Sequence, residues 1–330
     1  MPANLPPEYH RIESELRTAR TPQEKIDIYE RLIAVIPHHK GTDKLIAMYR
    51  QKIAKAREDV ERRPGTAKHG ATHKIERSGA GQVMLVGPPN AGKSLLVKVL
   101  TGADPEVADY PFTTRLPAPY MMPFENIRIQ LIDTPPVTAE FMETWFSEMV
   151  KMADAVLLAA DLADPAGPDA LDGIIKQLRE RKVELVPADT AVPPERFPFR
   201  KRAAVAANKL DAEGAPGRLE EYRALVETPV EWIPVSAATG RGLEDLRRAV
   251  FRLLHVIRIY SKVPGKKIET ASPFILRKGI TVLEMARAVH KDFAEKLAYA
   301  RVWSRGGGLE GLRVTREHVL ADEDIVDLHI

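Results

Sequence analysis

The sequence of 330 residues predicts an α/β domain with a largely parallel sheet covered by helices, preceded by a helical hairpin and followed by a small α+β domain. Three observations lead to this prediction. Helical periodicity fills residues 8–63, short apolar runs alternate with amphipathic stretches from Val83, and strand-like runs surround one long helical pattern after Val256. At about 150 residues per domain, the length fits two or three such units.

Residues 1–63 are predicted to form the helical hairpin. Thr21, Pro22 and Glu24 provide a capping threonine, a proline at the first helical position and a capping-box glutamate. Pro37 ends this helix, and a second helix follows after a short turn. The apolar positions share one face of each helix: Tyr29, Leu32, Ile33 and Ile36 in the first, and Leu45, Tyr49 and Ile53 in the second.

Residues 64–80 are predicted to be a basic linker between the hairpin and the α/β domain. Its cations, which include Lys68, Lys74 and Arg77, are interleaved with glycine, alanine and serine. A solvated connector is the simpler interpretation, and contact with a phosphate backbone is the alternative.

The α/β domain is predicted to span residues 81–255. Five apolar runs have the near-continuous hydrophobicity of buried parallel strands: 83–87, 127–133, 155–161, 203–209 and 232–237. Amphipathic helical stretches such as 171–180 separate them. The proline-rich stretch 186–202 ends in three cations and is predicted to be a surface loop, with a role in partner binding as the alternative.

The first predicted strand leads directly into a phosphate-binding motif. Gly87–Ser94 matches G-x-x-x-x-G-K-[ST], and a helical stretch follows it. In this context backbone N–H groups surround the α- and β-phosphates, Lys93 reaches the β- and γ-phosphates, and the Ser94 hydroxyl binds Mg²⁺. The predicted phosphate-site residues are Gly87, Asn90, Ala91, Gly92, Lys93, Ser94 and Leu95.

Polar residues also follow three later strands. Asp133 ends the run 127–133, and a carboxylate beside the phosphate loop can hold Mg²⁺ through its water shell. The segment Asn208-Lys209-Leu210-Asp211 follows the strand 203–207, and Ser236-Ala237-Ala238 follows the strand that begins at Trp232.

The order and spacing of GPPNAGKS, DTPP, NKLD and SAATG resemble the G1, G3, G4 and G5 motifs of translation-factor-type GTPases. The resemblance covers the whole α/β domain and implies a Ras-like P-loop fold that binds GTP and GDP. It also implies that Asp211 accepts hydrogen bonds from guanine N1–H and the 2-amino group, Asn208 supports the base, and Lys209 lies over the ring. The Ala237 amide then contacts O6, with Ser236 in the same motif.

The chemistry of the base supports this choice independently of the resemblance. A carboxylate that loses contact with water needs hydrogen-bond donors, and guanine offers two on one edge. Adenine presents an acceptor at N1 and has no 2-amino donor, so this carboxylate favours GTP over ATP. The alternative of an ATPase or small-molecule kinase on the same scaffold is therefore disfavoured by NKLD.

Two further segments resemble the Obg and developmentally regulated GTP-binding (DRG) branch of GTPases. YPFTT at residues 110–114 resembles its switch I, which implies that Thr114, or Thr113 as the alternative, ligates Mg²⁺ and senses the γ-phosphate. Residues 256–330 resemble the TGS domain, a ubiquitin-like β-grasp module. Thr281 and Glu284 form a capping box at the start of its predicted helix 281–297, and RGGGLEG is predicted to be a flexible loop. The family resemblance implies ribosomes or structured RNA as partners.

The sequence departs from the family pattern after Asp133. The usual D-x-x-G is replaced by a motif that ends in Pro136, which has no N–H for the γ-phosphate, and Val137 cannot orient a water molecule. One interpretation is slow hydrolysis that does not use a glutamine, and the other is a nucleotide-gated binding module with negligible turnover. Asn90 suggests a compensation, because a P-loop asparagine helps bind K⁺ in several GTPases that resemble this one. The catalytic residues are therefore predicted to be Lys93, Thr114 and Asn90.

Composition excludes several other classes of site and location. The absence of cysteine removes disulfides, thiolate metal sites and cysteine nucleophiles. The chain shows no stretch of the roughly 18 apolar residues that a membrane span requires, so we expect a cytoplasmic protein without a membrane partner. The formal net charge of +3 means that RNA binding would need a local basic patch, and no motif indicates DNA specificity.

Overall fold

The structure of this chain is a computed structural model. It describes residues 75–103, 116–192, 198–262, 272–305 and 310–329, and in the N-terminal region residues 12, 28, 29, 31–33, 48, 49 and 52. The chain divides into two compact units, Met1–Thr72 and His73–Ile330. The segment that resembles switch I, with Thr113 and Thr114, lies outside the described residues.

Every described residue of the first unit is helical. Four of its apolar side chains are buried: Ile12, Ile28, Leu32 and Tyr49. The ring centroids of Tyr29 and Tyr49 lie 5.5 Å apart, and the Lys52 ammonium lies 5.7 Å and 5.5 Å from these two rings. Aromatic packing of this kind stabilises contact between helical segments. The predicted turn after Pro37 lies outside the described residues, so the hairpin stays a prediction.

In the described part of the second unit, the first sheet has seven strands. They are β1 (Gln82–Val86), β2 (Ala118–Phe124), β3 (Ile127–Asp133), β4 (Ala155–Asp161), β5 (Val183–Val186), β6 (Phe199–Asn208) and β7 (Glu231–Pro234). The order is β2-β3-β1-β4-β6, with β5 beside the first half of β6 and β7 beside its second half. Only β2 pairs antiparallel to its neighbour among these described strands. The predicted α/β fold with a largely parallel sheet is confirmed.

Helices cover both faces of this sheet. They are α1 (Lys93–Thr101), α2 (Thr144–Met152), α3 (Gly167–Glu180), α4 (Ala215–Leu225) and α5 (Leu243–Leu254). Helices α2, α3 and α4 pack over one core that contains Met84 and Val86, and α1 and α5 pack over the other, which contains Val83 and Leu85. β1 serves both cores because successive strand side chains point to opposite faces. No helix in the described ranges combines the length and apolar character that a membrane crossing requires.

The second sheet has five strands in the described residues. They are β8 (Val256–Ser261), β9 (Phe274–Arg277), β10 (Tyr299–Trp303), β11 (Glu310–Val314) and β12 (Ile325–His329), in the order β11-β10-β12-β8-β9. α6 (Val282–Val289) packs against this sheet, and α7 (Lys291–Lys296) follows it. The predicted capping box is present, with the Glu284 N–H donating to Thr281 Oγ1 and the Thr281 N–H donating to the Glu284 carboxylate.

The predicted long helix 281–297 is interrupted at His290. This residue has an extended backbone, and its Nδ1 accepts a hydrogen bond from the Asp292 N–H at 3.2 Å. It therefore ends α6 and caps α7. The sequence pattern did not indicate this break, because a histidine side chain is an uncommon cap.

Three strands were not predicted. β2 contains Pro119 and Pro123 and lies at the edge of the sheet, where a missing N–H is tolerated. β11 begins at Glu310, inside the stretch predicted to be a flexible loop, so that prediction is wrong for its last two residues, Glu310 and Gly311. β5 was missed because it has only four residues, which is too short for a clear strand pattern. The surface-loop prediction for 186–202 is also wrong at its end, because Phe199–Arg202 pair with β5 as the first part of β6.

Residues 75–80, at the end of the predicted linker, contact the first sheet. The Ala80 N–H donates to the Arg128 carbonyl at 2.8 Å, and Gly79 forms an antiparallel bridge with Ile129. Gly79 has φ of 69°, and a Cβ there would collide with the Arg128 carbonyl. This end of the segment is therefore part of the fold around β3.

One arginine connects the two sheets. The Arg258 side chain on β8 is 5% exposed and forms ion pairs with Glu125, in the β2–β3 turn, and with Asp322 at 2.7 Å. The Asn126 side chain in the same turn donates to the Tyr260 hydroxyl at 2.8 Å. Arg258 also forms an ion pair with Glu323 at 3.4 Å. A buried guanidinium with three carboxylate partners resists separation, because its charge would be left buried without them.

We expect Arg258→Ala to lower the free energy of unfolding by about 3 kcal/mol, since it removes the charged hydrogen bonds to Glu125 and Asp322 and the packing of the guanidinium over the Phe124 and Phe251 rings. Urea unfolding followed by circular dichroism measures the change. Arg248→Ala is the control, because the ion pair of Arg248 with Asp245 is 63% and 73% exposed and should contribute less than about 1 kcal/mol. Equal losses in the two variants would contradict the structural role of Arg258.

Candidate functional site

The residues predicted to bind the nucleotide come together at one edge of the first sheet. Gly87–Ser94 follows β1, Asp133 ends β3, Asn208 ends β6 and Ser236 follows β7. These strands run in the same direction, so their carboxyl ends meet at one edge. This is where open α/β sheets bind their ligands.

The loop 87–94 has the backbone of an anion site. A Cβ at Gly87 would lie 2.7 Å from the Ala159 carbonyl, so only glycine allows β4 to approach so closely. Asn90 and Gly92 have φ of 61° and 79°, and α1 begins at Lys93. The N–H groups of a first helical turn lack intrahelical partners and, with the helix dipole, attract phosphate.

Lys93 adds a buried positive charge to this loop. The residue is 7% exposed, and its ammonium donates to the carbonyls of Gly87 at 3.0 Å and Pro88 at 2.8 Å. These hydrogen bonds hold the Lys93 ammonium beneath the loop 87–94. The combination of a buried ammonium with helix N-terminal amides suits a ligand with several negative charges.

Ser94 and Asp133 provide oxygen ligands of the type that Mg²⁺ prefers. The Ser94 hydroxyl donates to Asp133 Oδ2 at 2.9 Å, which brings both oxygens to the same point beside the loop. The next residue, Thr134, is buried and donates to the Leu85 carbonyl at 2.6 Å. Mg²⁺ is usually held by one or two protein oxygens, with water and phosphate completing its shell, so these residues fit the ion.

Asn208 connects the phosphate loop to the loop after β7. Its amide nitrogen donates to the Ala91 carbonyl at 3.0 Å, and its amide oxygen accepts from the Ala237 N–H at 3.0 Å. The residue is 2% exposed, so both bonds are shielded from water. A Cβ at Gly92 would collide with the Asn208 amide, which gives this glycine a second reason beyond its positive φ.

Asp211 is exposed and is held by Ser236. The Ser236 hydroxyl donates to Asp211 Oδ1, and Ser236 Oγ in turn accepts from the Thr239 N–H at 3.1 Å. The hydrogen bond from Ser236 is the main reason that the pKa of Asp211 lies below its ordinary value. The carboxylate is therefore ionised at neutral pH and faces solvent at the edge of the site.

Asp161 is a site residue that the sequence reasoning missed. It ends β4, is 7% exposed, and accepts a hydrogen bond from the Lys209 ammonium at 2.6 Å. Its backbone is the register partner of Asn208 in the neighbouring strand β6. The signal was an aspartate that ends a fully apolar run, since a buried carboxylate at a strand end needs a partner. Lys209 has φ of 62°, which belongs to the turn that brings its side chain to this aspartate.

Pro136 and Val137 do not present polar groups to the loop. Val137 is 3% exposed and packs in the core on the α2 and α3 side. Its N–H donates to the Gly87 carbonyl at 3.2 Å, and Pro136 is exposed. The only amide at these two positions is therefore already bonded to the first residue of the phosphate loop.

The other predicted residues have the following positions. Ala91 is buried beneath the loop, Asn90 is exposed, and Leu95 is 43% exposed on α1. The Ala237 N–H donates to Asn208, so its predicted contact with guanine O6 stays a prediction. The predicted metal ligand Thr114 lies outside the described residues.

Comparisons with known proteins find two family models along this chain. The family model "50S ribosome-binding GTPase" matches residues 82–189, and the TGS domain model matches residues 257–330. The GTP-binding protein MJ1326 of Methanocaldococcus jannaschii is 28% identical, with 93% of each chain aligned. Developmentally-regulated G-protein 3 of Arabidopsis thaliana is 25% identical over 93% of this chain and 98% of its own. The solved YchF GTPase of Schizosaccharomyces pombe has the same fold, with a TM-score of 0.51 and 14% identity over 78% of this chain and 100% of that one.

We expect Asn208→Ala to lower the free energy of unfolding by about 2 kcal/mol, because it leaves the Ala91 carbonyl and the Ala237 N–H buried without this partner. Urea unfolding of the nucleotide-free protein measures the loss. Asn90→Gly serves as the control, since Asn90 is exposed and glycine accepts its positive φ. If the two variants unfold at the same urea concentration, Asn208 does not hold the two loops together.

Proposed function

The chain is an Obg/DRG-like P-loop GTPase with a C-terminal TGS domain, and on this premise we propose that it binds GTP with Mg²⁺ and hydrolyses it slowly to GDP and phosphate. The observation that carries the proposal is the double hydrogen bond of Asn208. It joins the phosphate loop at Ala91 to the loop that begins with Ser236 and Ala237, which holds Asp211. One pocket can then bind both ends of a nucleotide.

Selection of guanine rests on Asp211. The carboxylate is charged, exposed and oriented by the Ser236 hydroxyl, so it can accept the N1–H and 2-amino donors of guanine together. Adenine would leave this carboxylate opposite an acceptor and unpaired. Asp161 supports the site by holding Lys209, which we propose lies along the face of the base.

The phosphate end is bound by the loop amides, Lys93 and the pair Ser94 and Asp133. When bound, Mg²⁺ would neutralise charge on the phosphates, and Ser94 and Asp133 are the residues that would hold it. Lys93 and the first-turn amides of α1 stabilise charge that moves onto the phosphate oxygens. We propose Thr114 as the switch residue that joins this site when the γ-phosphate is present.

Slow turnover follows from the segment after Asp133. Pro136 has no N–H, and Val137 has a buried side chain and an amide that bonds to Gly87. Neither residue can orient the attacking water, whereas many GTPases use a glutamine at the latter position. Asn90 is exposed on the phosphate loop, and we propose that it helps a K⁺ ion to offset charge in the transition state.

We propose ribosomes or structured RNA as the partner of the GTP-bound protein. The match to the 50S ribosome-binding GTPase model and the presence of a TGS domain support this proposal. The second candidate function is a nucleotide-gated binding module with negligible turnover, which the burial of Val137 favours. Single-turnover assays with K⁺, Mg²⁺ and ribosomes distinguish the two, because the module would release no phosphate above background.

Asp211→Asn tests base selection. We expect GTP affinity to fall by about 100-fold or more, because two hydrogen bonds to a charged acceptor are lost. Xanthosine triphosphate, which has an acceptor in place of the 2-amino group, should bind the variant better than GTP. Competition against labelled GTP measures both changes, with the exposed Asp172→Asn on α3 as a control that keeps wild-type selectivity. Equal competition by ATP and GTP in the wild-type protein would remove the assignment.

Asn90→Asp tests the proposed K⁺ site. In the wild-type protein we expect hydrolysis to be about tenfold faster or more in KCl than in NaCl at equal ionic strength, because K⁺ offsets transition-state charge. The variant should show similar rates in the two salts while its GDP affinity is unchanged. Equal wild-type rates, or a full K⁺ response in the variant, would contradict the role of Asn90.

A further inference from the structure

A cavity lies at the end of the first sheet that is opposite the phosphate loop. It has a volume of about 710 Å³. Its walls come from residues just before β4, from the first half of β6, and from the open end of the β8–β9 pair at His255 and Arg277. Because the cavity lies at the amino-terminal ends of β4 and β6, a nucleotide bound at the carboxyl ends of the strands does not occupy it.

The walls of this cavity are strongly basic. Asp154 is its one carboxylate in the described residues, and it pairs with Arg77 at 3.0 Å. Lys151 and Arg200, which also line the cavity, form ion pairs with glutamates outside it, at 2.8 Å and 2.9 Å. These three pairs neutralise only part of the charge.

Four more lining cations form no ion pair with any described carboxylate: Lys201, Arg202, Arg277 and Lys278. The Lys201 ammonium donates instead to the carbonyls of Lys151 at 2.5 Å and Ala153 at 2.6 Å, and Arg202 Nε donates to the Thr190 carbonyl at 3.0 Å. Hydrogen bonds to neutral carbonyls orient these groups but leave their charge in place.

The fold forces these like charges together from different elements. Lys201 and Arg202 lie on β6, whereas Arg277 ends β9 and Lys278 follows it. Burial lowers the pKa of Lys201 to about 8, and burial followed by the charge of Arg277 lowers the pKa of Arg202. Such a cluster opposes folding unless an anion compensates it, and perturbed cations in a cavity are typical of binding sites.

We infer that this cavity binds a compact anion with several phosphate groups. Asp154 attracts Lys201, whereas Arg202, Arg277 and Lys278 have no carboxylate partner among the described residues. This excess of positive charge favours a ligand with more than one negative charge, and guanidinium forks match phosphate oxygens in pairs. The volume falls within the range of small-ligand sites and is large enough for a nucleotide-sized group. The phosphates can belong to a free polyphosphate or to an RNA backbone, and the experiment below distinguishes the two sources.

This inference goes beyond the GTPase function and does not depend on it. The anion would contact Arg202 on the first sheet and Arg277 and Lys278 on the second, so it would bridge the same two sheets that Arg258 connects. Because the site lies at the edge opposite Asp211, base selectivity and anion binding can be measured and can fail separately.

The test compares two double variants of equal charge. Arg277→Gln/Lys278→Gln removes two exposed cations from the cavity, and Arg287→Gln/Lys296→Gln removes two exposed cations on α6 and α7 outside it. Each protein is loaded with one equivalent of GDP to fill the phosphate loop. The probes are inorganic tripolyphosphate, measured by calorimetry, and a short labelled single-stranded RNA, measured by fluorescence anisotropy.

We expect the Arg277→Gln/Lys278→Gln variant to bind at least one of the two probes about tenfold more weakly than the wild-type protein. The Arg287→Gln/Lys296→Gln control should bind both probes with an affinity within about twofold of wild type. Weaker RNA binding identifies an RNA backbone as the source of the phosphates. The slope of the logarithm of the RNA binding constant against the logarithm of the salt concentration should then fall by about 1.4 in magnitude, because two cations are removed. Loss confined to tripolyphosphate identifies a free polyphosphate. Equal binding by the two variants, or no binding of either probe to wild type, overturns the inference.

Chemical modification gives a second readout in the wild-type protein. Acetic anhydride modifies exposed lysine amines, and mass spectrometry reports the extent at each site. We expect the bound probe to slow the modification of Lys278 and to leave that of Lys296 unchanged. Equal rates at Lys278 with and without the probe would contradict binding in this cavity.

Discussion

The site depends on one buried side chain, that of Asn208. The phosphate loop follows β1 and the loop that orients Asp211 follows β7, and these strands are separated in the sheet by β4 and β6. Strand pairing brings both loops to the same end of the sheet, but the two strands are not neighbours and do not join the loops directly. Asn208 ends β6 between them, and its amide bonds to a carbonyl of one loop and an N–H of the other. Because both hydrogen bonds are buried, a group that loses its partner cannot form a replacement hydrogen bond to water.

The charged residues of the site are held before any ligand arrives. Ser236 orients the Asp211 carboxylate and Asp161 holds the Lys209 ammonium. In each case the partner comes from a different strand end, so the charges are positioned by the sheet rather than by the loop that carries them. Side chains already fixed in the binding geometry lose little further entropy when a nucleotide binds. In the basic cavity, by contrast, Arg202, Arg277 and Lys278 have no carboxylate partner among the residues that the structure describes.

The features predicted best from the sequence are those that depend on local pattern, namely the buried strands and the motif residues. The mostly buried strand 127–133 and the fully buried strand 155–161 were predicted with the bounds of β3 and β4, because buried parallel strands are nearly continuous in hydrophobicity. β2 was missed because its prolines are tolerated only at an edge, and edge position is a property of the assembled sheet. The motif residues were found from their spacing along the chain. The role of Asp161 was not found, because it depends on which strands are neighbours.

The segment after Asp133 limits how the protein can respond to its nucleotide. In a D-x-x-G motif a free glycine amide can move to the γ-phosphate, whereas here Pro136 stands at that position and has no N–H. The next amide, that of Val137, bonds to Gly87, and the Val137 side chain lies in the core. Moving this segment would break that bond and expose a valine, at a cost of roughly 2 kcal/mol for the side chain alone. The position of Val137 is then determined by the core more than by the ligand. Under the function proposed above, a response to the γ-phosphate would therefore fall mainly to the segment with Thr114, the proposed sensor.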